Sequence, residues 1–332
     1  GLHLPDLGDI CLEPGGQVEL SSKPCLNLQE LETVNQKLRL ALDQAAEFFG
    51  LRVKGQGHIA SFATAEDMPR SRFAAYYRYC RHEIGENAED LIKTMKSVCS
   101  LQVNFDPMGK DFHEIYRALM LVDTATIFKQ HSERQEILGR TYAPFFPEQT
   151  TPVFEALQSH SNKEVMVHIV DRLLTLKVPF VPDQSPEGFR SSLDVFGYAP
   201  TVQNLFEQGL LTAEILDNAL SLQLTMPNLR RHGVLETRAP DSVNTTEELM
   251  QTARLYHTIA YDAKKRNELL RQFKDVDFHL LKDVFINHRN YSPAEMNGLD
   301  IGKGLKVRDL INVATLPDNP KPTSQQRPKF QP

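Results

Sequence analysis

The chain has 332 residues, 41% of them hydrophobic, and its 37 lysines and arginines against 43 aspartates and glutamates give a formal net charge of −6. This composition excludes a disordered or fibrous chain and predicts one large or two modest globular domains. The acidic balance argues against a protein that binds nucleic acid through a broad basic face. Because the sequence contains neither an apolar run of about 18 residues nor a basic-then-apolar leader, we expect no membrane association and a cytoplasmic location.

Hydrophobic periodicity divides the first part of the chain into alternating helices and strands. Apolar residues at helical spacing predict a helix over Leu26–Phe49, which Gly50 ends. A glycine-punctuated strand is predicted over Val53–Phe62, and a short helix rich in aromatic residues over Arg70–Arg81. Strict alternation predicts a further strand over Ser97–Phe105.

The second part of the chain is mostly helical by the same criterion. Helices are predicted over Phe112–Gln130, Val153–Leu176, Ser192–Phe196, Thr201–Glu207 and Thr246–Phe273, and strands over Leu222–Arg231 and Val234–Arg238 around a turn at His232 and Gly233. Repeated prolines predict a polar tail over residues 317–332, which follows a single domain over residues 1–316. The irregular alternation of strands and helices predicts an α+β fold, with an antiparallel sheet covered by helices.

Several common catalytic motifs do not occur in the sequence. There is no GxxxxGK[ST] loop, no GxGxxG opening a helix, no HExxH and no GxSxG. These observations exclude the P-loop, dinucleotide-binding, zinc-hydrolase and nucleophile-elbow interpretations. The four cysteines lack CxxC spacing, which is typical of reduced thiols rather than of a zinc site or a disulfide framework.

The most informative polar cluster lies in the stretch EPGGQVELS, residues 13–21. Gln17 and Glu19 share one face of a predicted strand, and the Pro-Gly-Gly turn holds Glu13 near that face. Oxygen ligands grouped in this way suit Mg²⁺, which is often shared between carboxylates and substrate phosphates. The alternative is a solvated turn before an edge strand.

Two other predicted strands carry polar pairs. Gln102 and Asn104 share a face of one strand, and Glu236 and Arg238 share a face of another. A carboxylate and a guanidinium two residues apart could hold a metal ion and a phosphoryl group side by side. The alternative is a cross-strand salt bridge.

The order of these clusters resembles the glutamate–cysteine ligase family of the plant and proteobacterial kind, which includes the similar ligases of actinobacterial ergothioneine synthesis. The resemblance rests on EPGGQVELS, on MPRSRF at 68–73 followed by Tyr79, on SLQVNFD at 100–106 and on LETR at 235–238. It is strong over residues 8–106 and returns at Val234–Ser242, whereas the middle of the chain is only loosely similar.

The resemblance implies a glutamine-synthetase-like fold, in which a curved antiparallel sheet forms a bowl that binds ATP and Mg²⁺. In that family ATP phosphorylates the γ-carboxylate of glutamate, and the amine of cysteine then attacks the γ-glutamyl phosphate. By position in the motifs, the metal ligands are Glu13, Glu19 and Glu236, the nucleotide contacts are Gln102 and Asn104, the substrate contacts are Gln17, Arg72 and Tyr79, and the residue that steadies the phosphoryl group is Arg238, with Glu236 beside it in catalysis. The implied partners are small molecules: glutamate, and cysteine or another amine.

The sequence departs from the family pattern at three points. The usual GxExE strand upstream of EPGGQ is missing, so the chain is a fragment, takes its remaining acids from elsewhere, or is a catalytically silent ligand-binding homologue. Ser97, next to Lys96, occupies the position of a frequent family arginine. The loosely similar stretch Leu157–Gly209 does not identify the amine acceptor, and the oligomeric state is not predicted.

Overall fold

The computed structural model describes residues 1–64, 66–68, 70–107, 111–130, 132–183, 188–224, 227–230 and 233–314. Strands lie at β1 Leu2–Leu4, β2 Gly8–Leu12, β3 Val18–Ser22, β4 Val103–Phe105, β5 Phe180–Pro182, β6 Phe189–Ser191, β7 Asn228–Leu229, β8 Leu235–Thr237, β9 Asp300–Gly302 and β10 Leu305–Lys306. The α-helices are α1 Leu28–Phe48, α2 Ser71–Ile84, α3 Ala88–Ser97, α4 Phe112–Gln130, α5 Glu133–Thr141, α6 Pro147–Thr150, α7 Asn162–Thr175, α8 Ser192–Phe196, α9 Val202–Glu207, α10 Ala213–Ser221, α11 Thr246–Tyr261, α12 Ala263–Gln272, α13 Phe278–Asn287, α14 Pro293–Gly298 and α15 Val307–Ile311. Short 3₁₀ segments lie at Ala60–Thr64, Gly85–Asn87, Phe154–Gln158, His288–Asn290 and Asn312–Ala314.

The strands pair only in the antiparallel sense within the described residues, and the predicted α+β class is confirmed. One three-stranded sheet has the order β1-β2-β3, a second has the order β4-β8-β7, and β5-β6 and β9-β10 form two-stranded ribbons. The strands of the described ranges are thus divided among small sheets. The register places Glu236 of β8 between Asn104 of β4 and Asn228 of β7.

Most of the predicted helices are confirmed, and one predicted strand is wrong. Residues 53–62 form an isolated bridge from His58 to Val98 and then the start of a 3₁₀ segment. At Gly55 and Gly57 the backbone lies very close to the segment around Asp241 and Val243 of the same chain. A regular strand with side chains on both faces does not fit there. A Cβ at Gly57 would lie 2.2 Å from the carboxyl carbon of Asp241.

Four long predicted elements are shorter in the structure than predicted, and a polar N-cap residue interrupts each of the two helices among them. The strand predicted over Ser97–Phe105 begins only at Val103, after α3 and two isolated bridges. The predicted helix over Thr246–Phe273 breaks at Asp262, whose side chain accepts a hydrogen bond from the amide of Lys265 and starts α12. Ser161 caps α7 in the same way within the helix predicted over residues 153–176, and β7 is the only strand in the described part of 222–231.

Helix α4 is the centre of the largest core, with α11, α12 and α15 packed around it. Its buried residues include Asp123, which is 1% exposed and accepts a 2.6 Å hydrogen bond from the hydroxyl of Tyr256. Burial raises the pKa of Asp123 well above its usual value, although the hydrogen bond from Tyr256 opposes this shift. Neither α4 nor another helix of the described ranges is long and apolar enough to cross a membrane. His232 of the predicted turn and the predicted tail fall outside the described residues.

Candidate active site

A large open cavity of about 3990 Å³ lies between the hairpin β2–β3, helices α1 and α11, and strand β4. Seven of the nine side chains that the sequence singles out line it: Glu13, Gln17, Glu19, Arg72, Gln102, Asn104 and Arg238. The other two, Tyr79 and Glu236, are buried, with exposed fractions of 0% and 4%. The structure therefore gathers most of the predicted site around one opening.

The hairpin between β2 and β3 positions Glu13 and Glu19 on the same face. Cys11 pairs with Glu19 in the antiparallel register, and Glu13 lies two residues beyond Cys11, so both carboxylates project from one side of the hairpin. The turn is closed by main-chain hydrogen bonds of 2.8 Å from Glu13 to Gln17 and from Gly16 to Glu13. Gly16 has a φ of 81°, a conformation that favours glycine at this point of the turn.

A hydrogen bond joins the carboxyl groups of Glu13 and Glu19. Burial is the main cause that raises the pKa of Glu13, and the negative charge of Glu19 adds to it. Arg72 and Arg70 oppose this effect because their positive charges favour the ionised form. Two carboxyl groups placed this close together could both contact one bound cation.

The side chain of Gln17 is used to hold the turn. Its Oε1 accepts a 2.7 Å hydrogen bond from the amide of Gly15, and its Nε2 donates to the carbonyl oxygens of Met95 and Val98, both at 3.2 Å. Gln17 is 7% exposed. Its amide therefore ties the hairpin to the end of α3, and the predicted substrate contact through this side chain competes with these bonds.

Glu236 lies in β8, and Arg238 directly follows this strand. Because they are two residues apart, their side chains project from the same face, and they form an ion pair through Arg238 Nε. Arg230 approaches the same carboxylate, with its Nε 3.6 Å from Glu236 Oε2. The salt bridge that the sequence left open as an alternative is thus present, although it forms within one strand and is joined by a second arginine. Gln102, directly before β4, donates a 3.4 Å hydrogen bond from Nε2 to Ser100 Oγ.

Arg134 and Arg230 belong to the site, although the sequence analysis did not identify them. Arg134 is 3% exposed and donates a 2.8 Å hydrogen bond from Nη1 to the main-chain carbonyl of Arg238. Burial lowers its pKa to about 10, and the nearby charge of Arg238 also contributes. Burial likewise lowers the pKa of Arg230, whose Nη1 is buried with no hydrogen-bond partner among the described residues. Arg134, Arg230 and Arg238 therefore place three arginines on this part of the cavity wall, in addition to Arg72 of α2.

The donor set fits a magnesium ion at one place, the Glu13–Glu19 pair. No group of three histidine, cysteine, aspartate or glutamate side chains that could hold a metal occurs in the described part of the chain. Mg²⁺ is commonly bound by only one or two carboxylates together with substrate phosphates and water, so the pair suffices for such a site. Glu236 is not grouped with this pair, because its carboxylate is engaged with Arg238 and Arg230.

Helix α2 directs one predicted substrate residue to the cavity and another to the core. Arg72 lines the cavity, with its guanidinium carbon 5.3 Å from the ring centre of Phe73. Tyr79 instead stacks on Phe146, with ring centres 5.7 Å apart, and is not brought to the cavity. The neighbouring Tyr76 lies on the cavity wall.

Lys96 does not supply the cation that the family pattern leads one to expect near Ser97. Its ammonium group donates a 2.9 Å hydrogen bond to Asp67, and the residue is 8% exposed. The positive charge near the acid pair comes from Arg72 and Arg70.

Comparison with known proteins agrees with the motifs. Residues 4–126 match the model of glutamate-cysteine ligase family 2. No curated protein sequence matches the chain. The match confirms the predicted resemblance to a glutamate–cysteine ligase-like family, and it contains the hairpin, α2 and β4, whereas Glu236 and Arg238 lie beyond it.

Proposed function

We propose that this glutamate–cysteine ligase-like chain is an ATP-dependent ligase that joins the γ-carboxylate of glutamate to the amine of cysteine or of a similar small molecule. The observation that supports this most directly is the meeting of two oppositely charged groups at one cavity. The acid pair Glu13–Glu19 lies on the hairpin, and Arg238 and Arg230 directly follow β8 and β7 of the second sheet. Burial lowers the pKa of Arg230, and the negative charges of Glu236 and Glu19 oppose this effect, so Arg230 and the acid pair interact electrostatically at the same cavity.

The reaction requires a phosphoryl transfer followed by an acyl transfer. An oxygen of the glutamate γ-carboxylate attacks the γ-phosphorus of ATP, the bond to the bridging oxygen breaks, and ADP leaves. The amine nitrogen then attacks the γ-carbonyl carbon, the bond to the phosphate oxygen breaks, and the amine loses a proton. Both steps build negative charge on oxygens that need fixed positive groups nearby.

The residues of the chain have separate roles in this proposal. Arg238 steadies the transferring phosphoryl group with a planar fork of donors, and Glu236 holds that fork in orientation. Glu13 and Glu19 would hold Mg²⁺, which supplies charge neutralisation at the ATP phosphates when bound. Arg72 is available for a carboxylate of the amino-acid substrate. Gln102 and Asn104 are the proposed contacts to the nucleotide, and the metal-ligand role of Glu236 stays a prediction.

The test is a phosphate-release assay with ATP, Mg²⁺, glutamate and a panel of amino acids and simple amines as acceptors. We expect phosphate release that depends on both glutamate and one acceptor, with formation of the corresponding γ-glutamyl amide by mass spectrometry. The variant Glu19→Gln should be strongly impaired, whereas Glu86→Gln, which changes an exposed carboxylate outside the cavity, should behave as the unaltered chain.

A catalytically silent ligand-binding homologue is the second candidate. It is favoured by the engagement of Glu236 with two arginines and by the lack of a three-carboxylate group in the described residues. In that case ATP with Mg²⁺ stabilises the folded chain by about 2.7 kcal/mol at 100 times the dissociation constant, and the melting temperature rises. No acceptor supports phosphate release. Binding of ATP without turnover with any acceptor would therefore favour the ligand-binding homologue over the ligase.

A further inference from the structure

A second, smaller cavity of about 330 Å³ lies away from the proposed active site and shares no lining residue with it. It is formed by the first half of α4, the 3₁₀ segment Phe154–Gln158 with His160, and the chain just after α12. Its lining combines three basic side chains, Arg117, His160 and Lys274, with leucine, phenylalanine and valine side chains. None of its lining residues in the described chain is acidic.

Arg117 is the residue that makes this cavity unusual. Its Nε is buried and has no hydrogen-bond partner within the described part of the chain. Burial lowers the pKa of Arg117, and the only opposing influence comes from Glu114, one turn earlier on α4. A buried hydrogen-bond donor without a partner lowers the free energy of unfolding. Because this donor lies at a cavity wall, an acceptor on a bound ligand can supply the missing hydrogen bond.

Three acids interact with the basic residues of this cavity, and each has another partner. Asp275 interacts with Lys274, forms an ion pair of 2.7 Å with Lys303 and does not line the cavity. Glu114 lies 3.5 Å from Arg266 Nε, and Glu164 accepts a 2.7 Å hydrogen bond from the main-chain amide of His160. Neither residue lines the cavity. The basic groups are therefore only partly neutralised by the protein itself.

We infer that this cavity binds a small organic anion, with an oxyanion head at Arg117 and Lys274 and a short apolar part against the leucine and phenylalanine side chains. A guanidinium fork suits both carboxylate and phosphate oxygens. The volume is at the lower end of the range for ligand cavities and limits the ligand to a small molecule. The site is independent of the proposed ligase reaction, although α4 leads from it to Thr126 and Gln130 on the wall of the large cavity.

Calorimetric titration of the full chain with phenyl phosphate, benzoate and uncharged benzyl alcohol tests this inference and separates the two kinds of head group. We expect saturable binding of at least one anion and none of the alcohol. Arg117→Gln and Lys274→Gln should each weaken binding at least about tenfold, which is about 1.4 kcal/mol. Lys264→Gln, which removes an exposed lysine of α12 outside both cavities, should leave the affinity unchanged.

The melting temperature without ligand provides an independent readout. Because Arg117→Gln removes an unsatisfied buried donor, we expect it to melt at or above the temperature of the unaltered chain. A loss of several degrees would show that Arg117 has a structural role and would overturn the inference. Absence of saturable anion binding, or a loss of binding in Arg238→Lys but not in Arg117→Gln, would also overturn it, since the latter result assigns the anion to the large cavity.

Discussion

Glu13 and Glu19 lie on the same face of the hairpin that closes one side of the large cavity, and their carboxyl groups share a hydrogen bond. Such a pair is favourable only when a proton or a cation offsets the repulsion between the two charges. Both residues belong to the EPGGQVELS stretch, so the proposed metal site coincides with the family motif.

The first prediction concerns the affinity for Mg²⁺. Glu19→Gln leaves one carboxylate of the pair and should raise the Mg²⁺ concentration that gives half of the maximal thermal shift at least about tenfold, or about 1.4 kcal/mol. Thermal denaturation over a Mg²⁺ series in the presence of ATP measures this shift, and Glu86→Gln is the matched control. Equal midpoints in Glu19→Gln and the control would remove the pair as the metal site.

The second prediction concerns pH and the core. Because the folded-state pKa of Asp123 is raised, the native state keeps a proton that the unfolded chain loses, and stability falls as pH rises above the unfolded value near 3.8. Asp123→Asn removes this dependence, so its stability relative to the unaltered chain should increase with pH. Denaturant unfolding at several pH values, with exposed Asp171→Asn as the control, measures the difference. Parallel pH profiles for the two chains would show that Asp123 is ionised in the core.

The third prediction concerns Glu236→Gln. Removing one partner of a buried ion pair leaves Arg238 and Arg230 uncompensated, and the free energy of unfolding should fall by about 3–5 kcal/mol. Turnover, measured well below the melting temperature, should fall at least about a hundredfold if Glu236 acts at the phosphates directly or through Arg238. Full turnover with reduced stability would limit Glu236 to a structural salt bridge.

The fourth prediction concerns Arg238→Lys, which keeps the charge and removes the fork of donors. The loss should appear mainly in kcat, with little change in ATP affinity, because negative charge on the transferring group grows toward the transition state. Steady-state kinetics together with ATP titration separate the two quantities. Arg271→Lys, an exposed arginine outside both cavities, is the control. A variant with weakened ATP binding and unchanged kcat would assign Arg238 to binding of the nucleotide alone.

The fifth prediction concerns Gly57. A methyl group there would lie 2.2 Å from the carboxyl carbon of Asp241, and that carboxylate is fixed by hydrogen bonds of 2.5 Å from Ser132 Oγ and 3.1 Å from the amide of Glu133. Gly57→Ala should therefore cost about 1–3 kcal/mol of stability. Gly298→Ala, where the added methyl meets no atom within 4 Å, should be neutral or slightly stabilising in the same denaturant experiment. Equal effects of the two substitutions would refute the close approach.

The sequence predicts those parts of the site that depend on local geometry. Two-residue alternation and a Pro-Gly-Gly turn are enough to place Glu13 and Glu19 on one face, and the same rule places Glu236 and Arg238 together. Gln102 and Asn104 come to the cavity for the same reason. The antiparallel class also follows, because short strands with polar turns favour it.

Residues whose role depends on tertiary packing could not be identified in this way. Arg134 lies in α5, far along the chain from Arg238, and only the folded structure brings its guanidinium to that carbonyl. Tyr76 and Tyr79 are both aromatic residues of α2, and their positions on the cavity wall and in the core are decided by the elements packed against the helix. The strand predicted at 53–62 is wrong for a similar reason, since Gly55 and Gly57 allow contact with the distant segment around Asp241.

The hydrogen bonds of Gln17 have a consequence for the order of folding. They join the hairpin turn to carbonyl groups that lie 78 and 81 residues later in the chain. Contacts of such long sequence separation form slowly, because the intervening chain must lose its freedom before they are made. We therefore expect Glu13 and Glu19 to reach their final geometry only after α3 has docked, because a nascent chain that ends before Met95 lacks the carbonyl groups that hold Gln17.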